Sequence, residues 1–251
     1  MTDLELLTFR RSHYNEKARW ALDYKGLAHT RTYLMPGPHA GRIRKIAPQS
    51  TTPVLLIDGE AVQDSDAILI RLEELAPDPA LYPADEALRA EMIPLIRFFD
   101  DELGPAIRRC VFTVLVTDNR YTSAVFVDRA TRAEQLVYRM ALPFVKPRIM
   151  REMGVDDVPL VVRSFEIVQE ALDLIAERTA RTGYLVGDGF TAADLTAAAL
   201  MGPGLHLTHP DMKLPEPEPS ELAAMRQRWM SHPAAAWVLT MYDRHRPAPL
   251  A

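Results

Sequence analysis

The feature that most constrains the fold is a change of residue pattern at a proline-rich segment, residues 77–86. Before this segment, short apolar runs alternate with amphipathic runs, in the order β-α-β followed by β-β-α. The segment itself holds three prolines and no periodicity, which indicates a linker. After it, from Leu88 onward, apolar residues recur at spacings of three and four. We therefore expect an α/β domain followed by an all-α domain.

Local signals place the elements of the first domain. Apolar runs predict strands over residues 4–9, 30–35, 52–57 and 60–62. The Asp58–Gly59 pair between the last two runs predicts a hairpin. A first helix is expected over residues 16–25, with Gly26 just past its end, and a second is expected to begin at residues 64–66.

The second domain shows helical stripes over residues 88–103, 165–175, 220–229 and 237–241, the first of them ending at Gly104–Pro105. Thr191 and Asp194 have the spacing of a capping box in front of a small apolar helix. Residues 201–219 hold five prolines and two glycines, which predicts an extended loop.

Composition excludes several classes of protein. The chain has 251 residues, enough for two small domains, and its 48% apolar and 25% charged residues are ordinary for a globular protein. A net charge of −5 gives no electrostatic footprint for nucleic acid. No run approaches the roughly 18 apolar residues of a membrane span, and the start lacks the apolar stretch of a secretory signal. We therefore expect a cytoplasmic protein with neither a membrane nor a nucleic-acid partner.

No metal site is expected either. The lone Cys110 cannot form an internal disulfide or a cysteine-rich metal site, and we interpret it as a buried packing residue rather than a nucleophile. His206 and His209 flank the loop dipeptide Leu207-Thr208 without a nearby set of carboxylates, which makes them a poor site for an ion.

Three short motifs in the first domain carry the functional signal. Ser12 precedes the first helix, where unpaired N–H groups and the helix dipole favour an anion, so its hydroxyl could lower the pKa of a bound thiol. Thr52-Pro53 opens an apolar strand, and a cis bond there would turn the backbone of Thr52 toward a peptide-like ligand. Asp64-Ser65 begins a helix and could hold the carboxylate and ammonium of a ligand.

Each motif also has a purely structural interpretation. Ser12 could be an ordinary N-cap, which is a preferred use of serine. Pro53 could be a trans proline at a strand edge, and the sequence alone favours that isomer. Asp64 or Ser65 could do no more than cap its helix.

In combination, the motifs resemble those of the cytosolic glutathione transferase superfamily. The resemblance rests on four stretches of this sequence: Ser12 followed by Lys17-Ala18-Arg19, the proline motif at residues 52–55, Asp64-Ser65 with Ala67-Ile68, and residues 184–188 with 190–195. It covers residues 1 to about 100 and 160 to 200. It implies a thioredoxin-like N-terminal domain followed by an all-α helical-bundle C-terminal domain.

The resemblance also implies a site. Glutathione would lie across the thioredoxin-like domain, with its thiol at catalytic Ser12, its cysteinyl unit on Thr52 and Pro53, and its γ-glutamyl end on Asp64 and Ser65. The second substrate would lie against the helical domain, where we expect contacts from Tyr14, Arg108, Arg109 and Phe112. Arg108 and Arg109 could attract an anionic substrate, or they could be surface arginines on a broken helix. A homodimer is expected from the family.

Several positions depart from the family pattern. No cysteine occupies position 12 or 15, which excludes a dithiol redox mechanism. Phe9 has no hydroxyl where some classes have a catalytic tyrosine. Residues 49–51 are neutral where a cation often stands, so the glycyl carboxylate would need a residue of the basic segment 39–45: His39, Arg42, Arg44 or Lys45. That segment could equally be a solvated basic face.

We therefore interpret the chain as a glutathione-dependent transferase with domains at residues 1–78 and 87–251, joined by a linker at 79–86. Glutathione would be the co-substrate, and its thiolate would attack a small hydrophobic electrophile, as in detoxification. Conjugation, dehalogenation, ether cleavage and isomerisation all use that thiolate and stay open. The alternative is a non-catalytic binding or assembly module on the same fold. Extra segments at residues 105–162 and 203–219 lengthen the helical domain.

Overall fold

The computed structural model describes residues 2–127 and 130–248. Its first domain is built on a mixed sheet of four strands: β1 (Leu4–Thr8), β2 (Thr30–Tyr33), β3 (Val54–Ile57) and β4 (Glu60–Gln63). The strand order is β2-β1-β3-β4, with β2 parallel to β1 and the other two pairs antiparallel. The central strands β1 and β3 carry the buried apolar side chains Leu6, Leu7, Val54 and Leu55. The four predicted strands are present, and the first ends at Thr8 instead of residue 9.

Three helices belong to this domain: α1 (His13–Tyr24), α2 (His39–Ile43) and α3 (Ser65–Leu75). Helix α1 begins three residues before the predicted start, directly after Ser12, and Gly26 follows its end with a φ of 63°. The Asp58–Gly59 turn joins β3 to β4, with both residues at positive φ, as a tight hairpin turn requires. The predicted thioredoxin-like domain is thus confirmed.

The remaining helices form the second domain, which confirms the predicted all-α bundle. They are α4 (Glu86–Arg97), α5 (Gly104–Leu115), α6 (Asn119–Val127), α7 (Arg132–Met153), α8 (Val158–Thr179), α9 (Ala192–Met201), α10 (Ser220–Met230) and α11 (Pro233–His245). Within the described residues, no helix is both long enough and apolar enough to cross a membrane. The domain limits at residues 78 and 87 remain predictions; residue 78 falls between α3 and α4, and residue 87 is the second residue of α4.

The helix predicted to end at Gly104–Pro105 does not end there. A single π-helical turn, Phe98–Leu103, connects α4 to α5, and the helix continues to Leu115. Pro105 lies in the first turn of α5, where its missing N–H costs little because the wider turn before it already changes the hydrogen-bond pattern. Arg108 and Arg109 therefore stand on an intact helix, whose first residue Gly104 contacts Tyr14 and His13 of the first domain.

The two domains share one apolar core. Every residue of α9 is buried, and α9 packs against α1. Trp20 of α1 is fully buried, with its ring against the rings of Phe190 and Tyr242. The carboxylate of Asp194 accepts hydrogen bonds from the N–H and hydroxyl of Thr191, so the predicted capping box is present.

A buried ionic network also joins the domains. Glu16 and Asp23 of α1, together with Asp211 of the loop before α10, are the acidic members. The basic members are Arg19, Arg31 and Arg246, the last of which follows α11 and contacts all three carboxylates. Three positive and three negative side chains thus compensate one another out of contact with water.

Candidate functional site

Ser12 occupies the N-cap position of α1, but its hydroxyl does not cap the helix. The backbone is extended, with φ −96° and ψ 125°, and the side chain makes no hydrogen bond to the N–H groups of the first turn. Instead, Oγ accepts a hydrogen bond of 2.7 Å from Nδ2 of Asn15. The interpretation of Ser12 as a mere cap is therefore not supported, and its hydroxyl hydrogen is left to donate to another acceptor.

Asn15 is a site residue that the sequence reasoning missed. Its Oδ1 accepts from the N–H of Phe9 at 3.1 Å, which fixes the orientation of the amide. Nδ2 then donates to both Ser12 and the Oγ1 of Thr52, the latter at 3.1 Å. This one buried amide joins the serine to the segment before Pro53.

The Thr52–Pro53 peptide bond is cis. The resemblance to glutathione transferases implies this isomer, whereas the sequence alone favours the trans isomer. No turn or loop hydrogen bond of the described residues uses the backbone of Thr52. The preceding segment is held by Gln63, whose Nε2 donates to the carbonyls of Gln49 and Thr51 at 3.0 and 2.9 Å. Thr52 thus keeps its N–H and C=O for a ligand beside Ser12.

Asp64 and Ser65 lie at the start of α3. Asp64 has a φ of 88°, and its Oδ1 accepts from the N–H of Asp66 at 2.8 Å, so the capping interpretation of this residue is supported. Ser65 is buried. The exposed carboxylate of Asp64 still contributes negative charge at the end of the site that the resemblance assigns to γ-glutamyl.

Behind this motif lies a charged cluster formed by Lys17, Asp100 and the partly exposed Asp66. Lys17 is fully buried and forms ion pairs with Asp66 and with Oδ2 of Asp100, the latter at 2.6 Å. Oδ1 of Asp100 is buried without a hydrogen-bond partner. Burial raises the pKa of Asp100 to about 7, and Lys17 opposes that rise. Asp100 comes from the π-helical turn, so the second domain adds an acidic group to this end of the site.

Tyr14 connects the two ends of the site. Its hydroxyl donates to the carbonyl of Asp100 at 2.6 Å, and its ring packs against Gly104. Burial raises the pKa of Tyr14, so the phenol stays neutral. The neighbouring His13 shares a hydrogen bond of 3.0 Å between Nε2 and the carbonyl of Gly104; burial and Arg108 lower its pKa to about 3.

The arginine pair of α5 divides between two environments. Arg109 donates from Nε to the carbonyl of Met153 at 3.0 Å and from Nη1 to Oγ of Ser164 at 2.6 Å, which binds α5 to α7 and α8. Its guanidinium is thus occupied by the bundle, and we leave Arg109 out of the proposed site. Arg108 faces Tyr14 and His13.

Phe112 and Cys110 also lie on α5, in different surroundings. Phe112, half-buried, contacts the ring of Phe126 with centroids 5.9 Å apart and lines an apolar cleft between α5, α6 and α7. Cys110 is fully buried, and burial raises the pKa of its thiol to about 12. A protonated, inaccessible thiol suits packing and not nucleophilic attack.

His39 is the first residue of α2, with its ring edge against Phe9 and centroids 4.6 Å apart. Nδ1 accepts from the N–H of Gly37 at 3.0 Å. Burial lowers the pKa of His39, so near pH 7 the ring offers hydrogen bonds and no charge. Of the other basic residues, Arg42 pairs with Glu5 at 3.5 Å, whereas Arg44 and Lys45 are exposed.

Arg11 forms hydrogen bonds with both of the extra segments, residues 105–162 and 203–219. This residue has a φ of 56°, and its side chain crosses to the second domain. Nη1 donates to the carbonyl of Val125 in α6 at 2.7 Å, and Nε donates to that of Lys213 at 2.8 Å. Both α6 and the loop before α10 therefore bind the residue that precedes Ser12.

One set of side chains in the ionic network could hold a metal ion. Ligand atoms of Glu16, His209 and Asp211 lie within 4.8 Å of one another. The two carboxylates already pair with arginines of the network, and an ion would have to displace these. We assign the cluster a structural role.

The family comparisons agree with this geometry. Residues 6–80 match the family described as glutathione S-transferase, N-terminal domain, and residues 135–233 match glutathione S-transferase, C-terminal domain. Together these matches span well over half of the chain. The chain belongs to the cytosolic glutathione transferase superfamily and is a glutathione transferase-like enzyme.

Individual relatives are distant. Protein LigF of Sphingobium sp. is 24% identical over 209 residues, 78% of this chain and 77% of LigF. The crystal structure of β-etherase LigF covers 94% of this chain and 98% of its own, with a TM-score of 0.60 and 21% identity. A theta class glutathione S-transferase from Xanthomonas axonopodis, solved with glutathione bound, covers all of both chains, with a TM-score of 0.59 and 20% identity. At these identities the structural likeness shows the fold.

Proposed function

We propose that this protein is a glutathione-dependent transferase in which Ser12 stabilises the glutathione thiolate for attack on a small hydrophobic electrophile. The observation that carries the proposal is the Ser12–Asn15 hydrogen bond. Because Asn15 donates to the serine oxygen, the serine hydrogen points away from the helix and donates to the ligand's sulfur. The N–H groups of the first turn of α1 add to the positive potential there.

The peptide part of glutathione fits the remaining polar groups of the site. The free backbone groups of Thr52, before cis Pro53, pair with the cysteinyl unit in the manner of an added strand. The γ-glutamyl ammonium lies between Asp64 and Asp100, whose unpartnered Oδ1 accepts a hydrogen bond, and its carboxylate meets Ser65. His39 donates a hydrogen bond toward the glycyl end.

The chemical step requires no covalent bond to the protein. The thiolate sulfur attacks an electrophilic carbon and forms a C–S bond, while the bond to the leaving group breaks and that group departs with the electron pair. The protein lowers the thiol pKa and positions both reactants. The name of the relative LigF, a β-etherase, favours ether cleavage among the reactions that the thiolate permits.

We further propose that the protein is a cytoplasmic homodimer, because members of the family usually form dimers. Gel filtration with light scattering tests the dimer, and fractionation of the native host tests the location. A monomer in solution would contradict the first statement and leave the Ser12 chemistry unaffected, since the groups described above come from one chain.

Two measurements test the proposed function. With a dissociation constant of about 0.1 mM and ligand at about 10 mM, glutathione should stabilise the fold by about 2.7 kcal/mol, a rise in Tm of about 5–10 °C. Ser12→Ala should retain the fold and the binding of S-methylglutathione but lower kcat by about a hundredfold. Unchanged turnover would exclude Ser12 as the thiolate partner, and no shift of Tm would favour the non-catalytic alternative.

A further inference from the structure

Helix α5 presents three residues to the site at successive turns: Gly104, Arg108 and Phe112. Residues four apart lie on one face of a helix. Gly104 contacts Tyr14 and His13, which follow Ser12 directly. Phe112 lines the apolar cleft toward α6 and α7. Arg108 therefore stands between the serine end of the site and an apolar cleft.

The guanidinium of Arg108 has no acidic partner. It is half-buried, and burial together with the neighbouring Arg109 lowers its pKa. Over residues 2–127 and 130–248 no carboxylate pairs with it, although buried cations elsewhere in the chain are paired: Lys17, Arg19, Lys25, Arg31, Arg226 and Arg246. A partly desolvated cation without a counter-charge is costly and is compensated when an anion binds.

The cleft one turn further along α5 is apolar. Its lining includes Phe112, Val116, Phe126, Leu142 and Ile149. Arg11 holds the carbonyl of Val125, the residue before Phe126, so α6 is fixed against the segment that leads into Ser12. The cleft is narrow, so an apolar molecule would pack at its mouth against Phe112, one helical turn from Arg108.

We propose that Arg108 binds an anionic group of the second substrate, so that the enzyme prefers aromatic or other apolar electrophiles that carry a carboxylate. The apolar body packs against Phe112 at the mouth of the cleft, and the carboxylate accepts hydrogen bonds from the guanidinium. This inference rests on the proposed function, because it requires the thiolate to form at Ser12.

A matched pair of electrophiles tests it: a chloronitrobenzoate and its uncharged amide. In both, the glutathione sulfur forms a bond to the ring carbon and chloride leaves with the electron pair. The rate of each enzymatic reaction is divided by the rate at which glutathione reacts with the same electrophile without enzyme. Arg108→Met should lower kcat/KM for the carboxylate about tenfold or more, mainly through KM, and leave the amide unchanged. Arg108→Lys should restore part of the loss, because it restores the charge.

The control is Arg178→Met, which removes an exposed arginine from the last turn of α8 and should alter neither rate. Thermal unfolding of each variant checks that the fold is retained. An equal loss for both electrophiles, or no loss for either, would overturn the inference.

Failure of this inference is distinguishable from failure of the proposed function. If Ser12→Ala leaves both rates unchanged, the proposed function fails. If Ser12→Ala abolishes both rates while Arg108→Met alters neither, only the inference fails. Calorimetry with the glutathione conjugates of both compounds gives the same comparison without turnover: the carboxylate conjugate should bind more weakly to Arg108→Met. Equal affinity for wild type and variant, or no binding to either, would count against Arg108.

Discussion

Nδ2 of Asn15 lies 2.7 Å from Oγ of Ser12, and the direction of that hydrogen bond is fixed by the N–H of Phe9 on the other side of the amide. Asn15 is thus a positioning residue that sets where the serine hydrogen points. A group that donates to the serine leaves its hydrogen for the thiolate, whereas a group that accepts from the serine would remove it.

Asn15→Asp should therefore be more harmful than its small change in shape suggests. The aspartate keeps the bond from Phe9 but accepts the serine hydrogen, and it adds negative charge beside the thiolate. We expect the pKa of enzyme-bound glutathione to rise by at least about one unit, equivalent to about 1.4 kcal/mol. Ultraviolet absorbance of the thiolate against pH measures this directly.

Asn15→Ala is the companion variant, since it removes the amide without adding charge. It should raise the thiol pKa less than Asn15→Asp does. Equal thiol pKa values for wild type and Asn15→Asp would show that the serine orientation does not depend on Asn15.

Asp100 predicts a pH dependence of ligand binding near pH 7. Its pKa is raised to about 7 by burial, so its protonated form predominates below that pH and its carboxylate above it. The carboxylate attracts the γ-glutamyl ammonium, so affinity should increase as the pH rises through about 7, by about tenfold in all. S-methylglutathione is the ligand of choice because it has no thiol to titrate.

Asp100→Asn should remove that pH dependence, and calorimetry from about pH 6 to about pH 8 measures it. Asp101→Asn is the matched control, because Asp101 lies on the same turn but is exposed. A slope that survives in Asp100→Asn would assign the titration to another group.

Gly104 has no room for a side chain. A Cβ at this position would lie 2.7 Å from Cζ of Tyr14 and closer still to its hydroxyl oxygen. Gly104→Ala should therefore displace Tyr14, weaken its bond to the carbonyl of Asp100, and lower the free energy of unfolding by about 1–3 kcal/mol. Denaturant unfolding gives the value.

Two further variants test whether Tyr14 is the cause of the cost of Gly104→Ala. In a Tyr14→Ala background the Gly104→Ala change should cost much less, because the clash is gone and contacting residues are not additive. Gly41→Ala in α2 meets nothing within 4 Å and should be neutral. A cost for Gly104→Ala that is the same in both backgrounds would show that Tyr14 is not the obstacle.

Arg11→Met should loosen both extra segments together. The variant loses the hydrogen bonds to Val125 and Lys213, so amide hydrogen exchange should accelerate in α6 and in residues 205–214 alike. Arg71→Met is the control; Arg71 pairs with Glu74 on α3 at 2.7 Å, and its loss should not affect these segments. Acceleration confined to one segment would contradict a shared anchor.

The order of elements in this fold could be predicted because it depends on local pattern. The strands around Leu6 and Leu55 are short apolar runs, and the capping box at Thr191 predicts the start of the helix that follows it. The continuation of the helix through Gly104 could not be predicted, since it depends on a π-helical turn and on the ring of Tyr14, which is ninety residues away in the chain.

The sequence predicts the candidate site only where a short motif marks it, and these residues remain predictions. Ser12, Pro53 and Asp64 stand next to recognisable helix or strand starts. Asn15 and Asp100 carry no such signal, because their roles arise from contacts between segments that are far apart in sequence.

The ionic network has a consequence for how the chain is made. Glu16 and Asp23 leave the ribosome among the first residues, whereas their partner Arg246 leaves more than two hundred residues later. Until then, the first domain has acidic groups on α1 without their full complement of positive charge, and burying them would be unfavourable. The ionic network on α1 is therefore complete only when the segment after α11 has been made, so the full stability of the first domain depends on the far end of the chain.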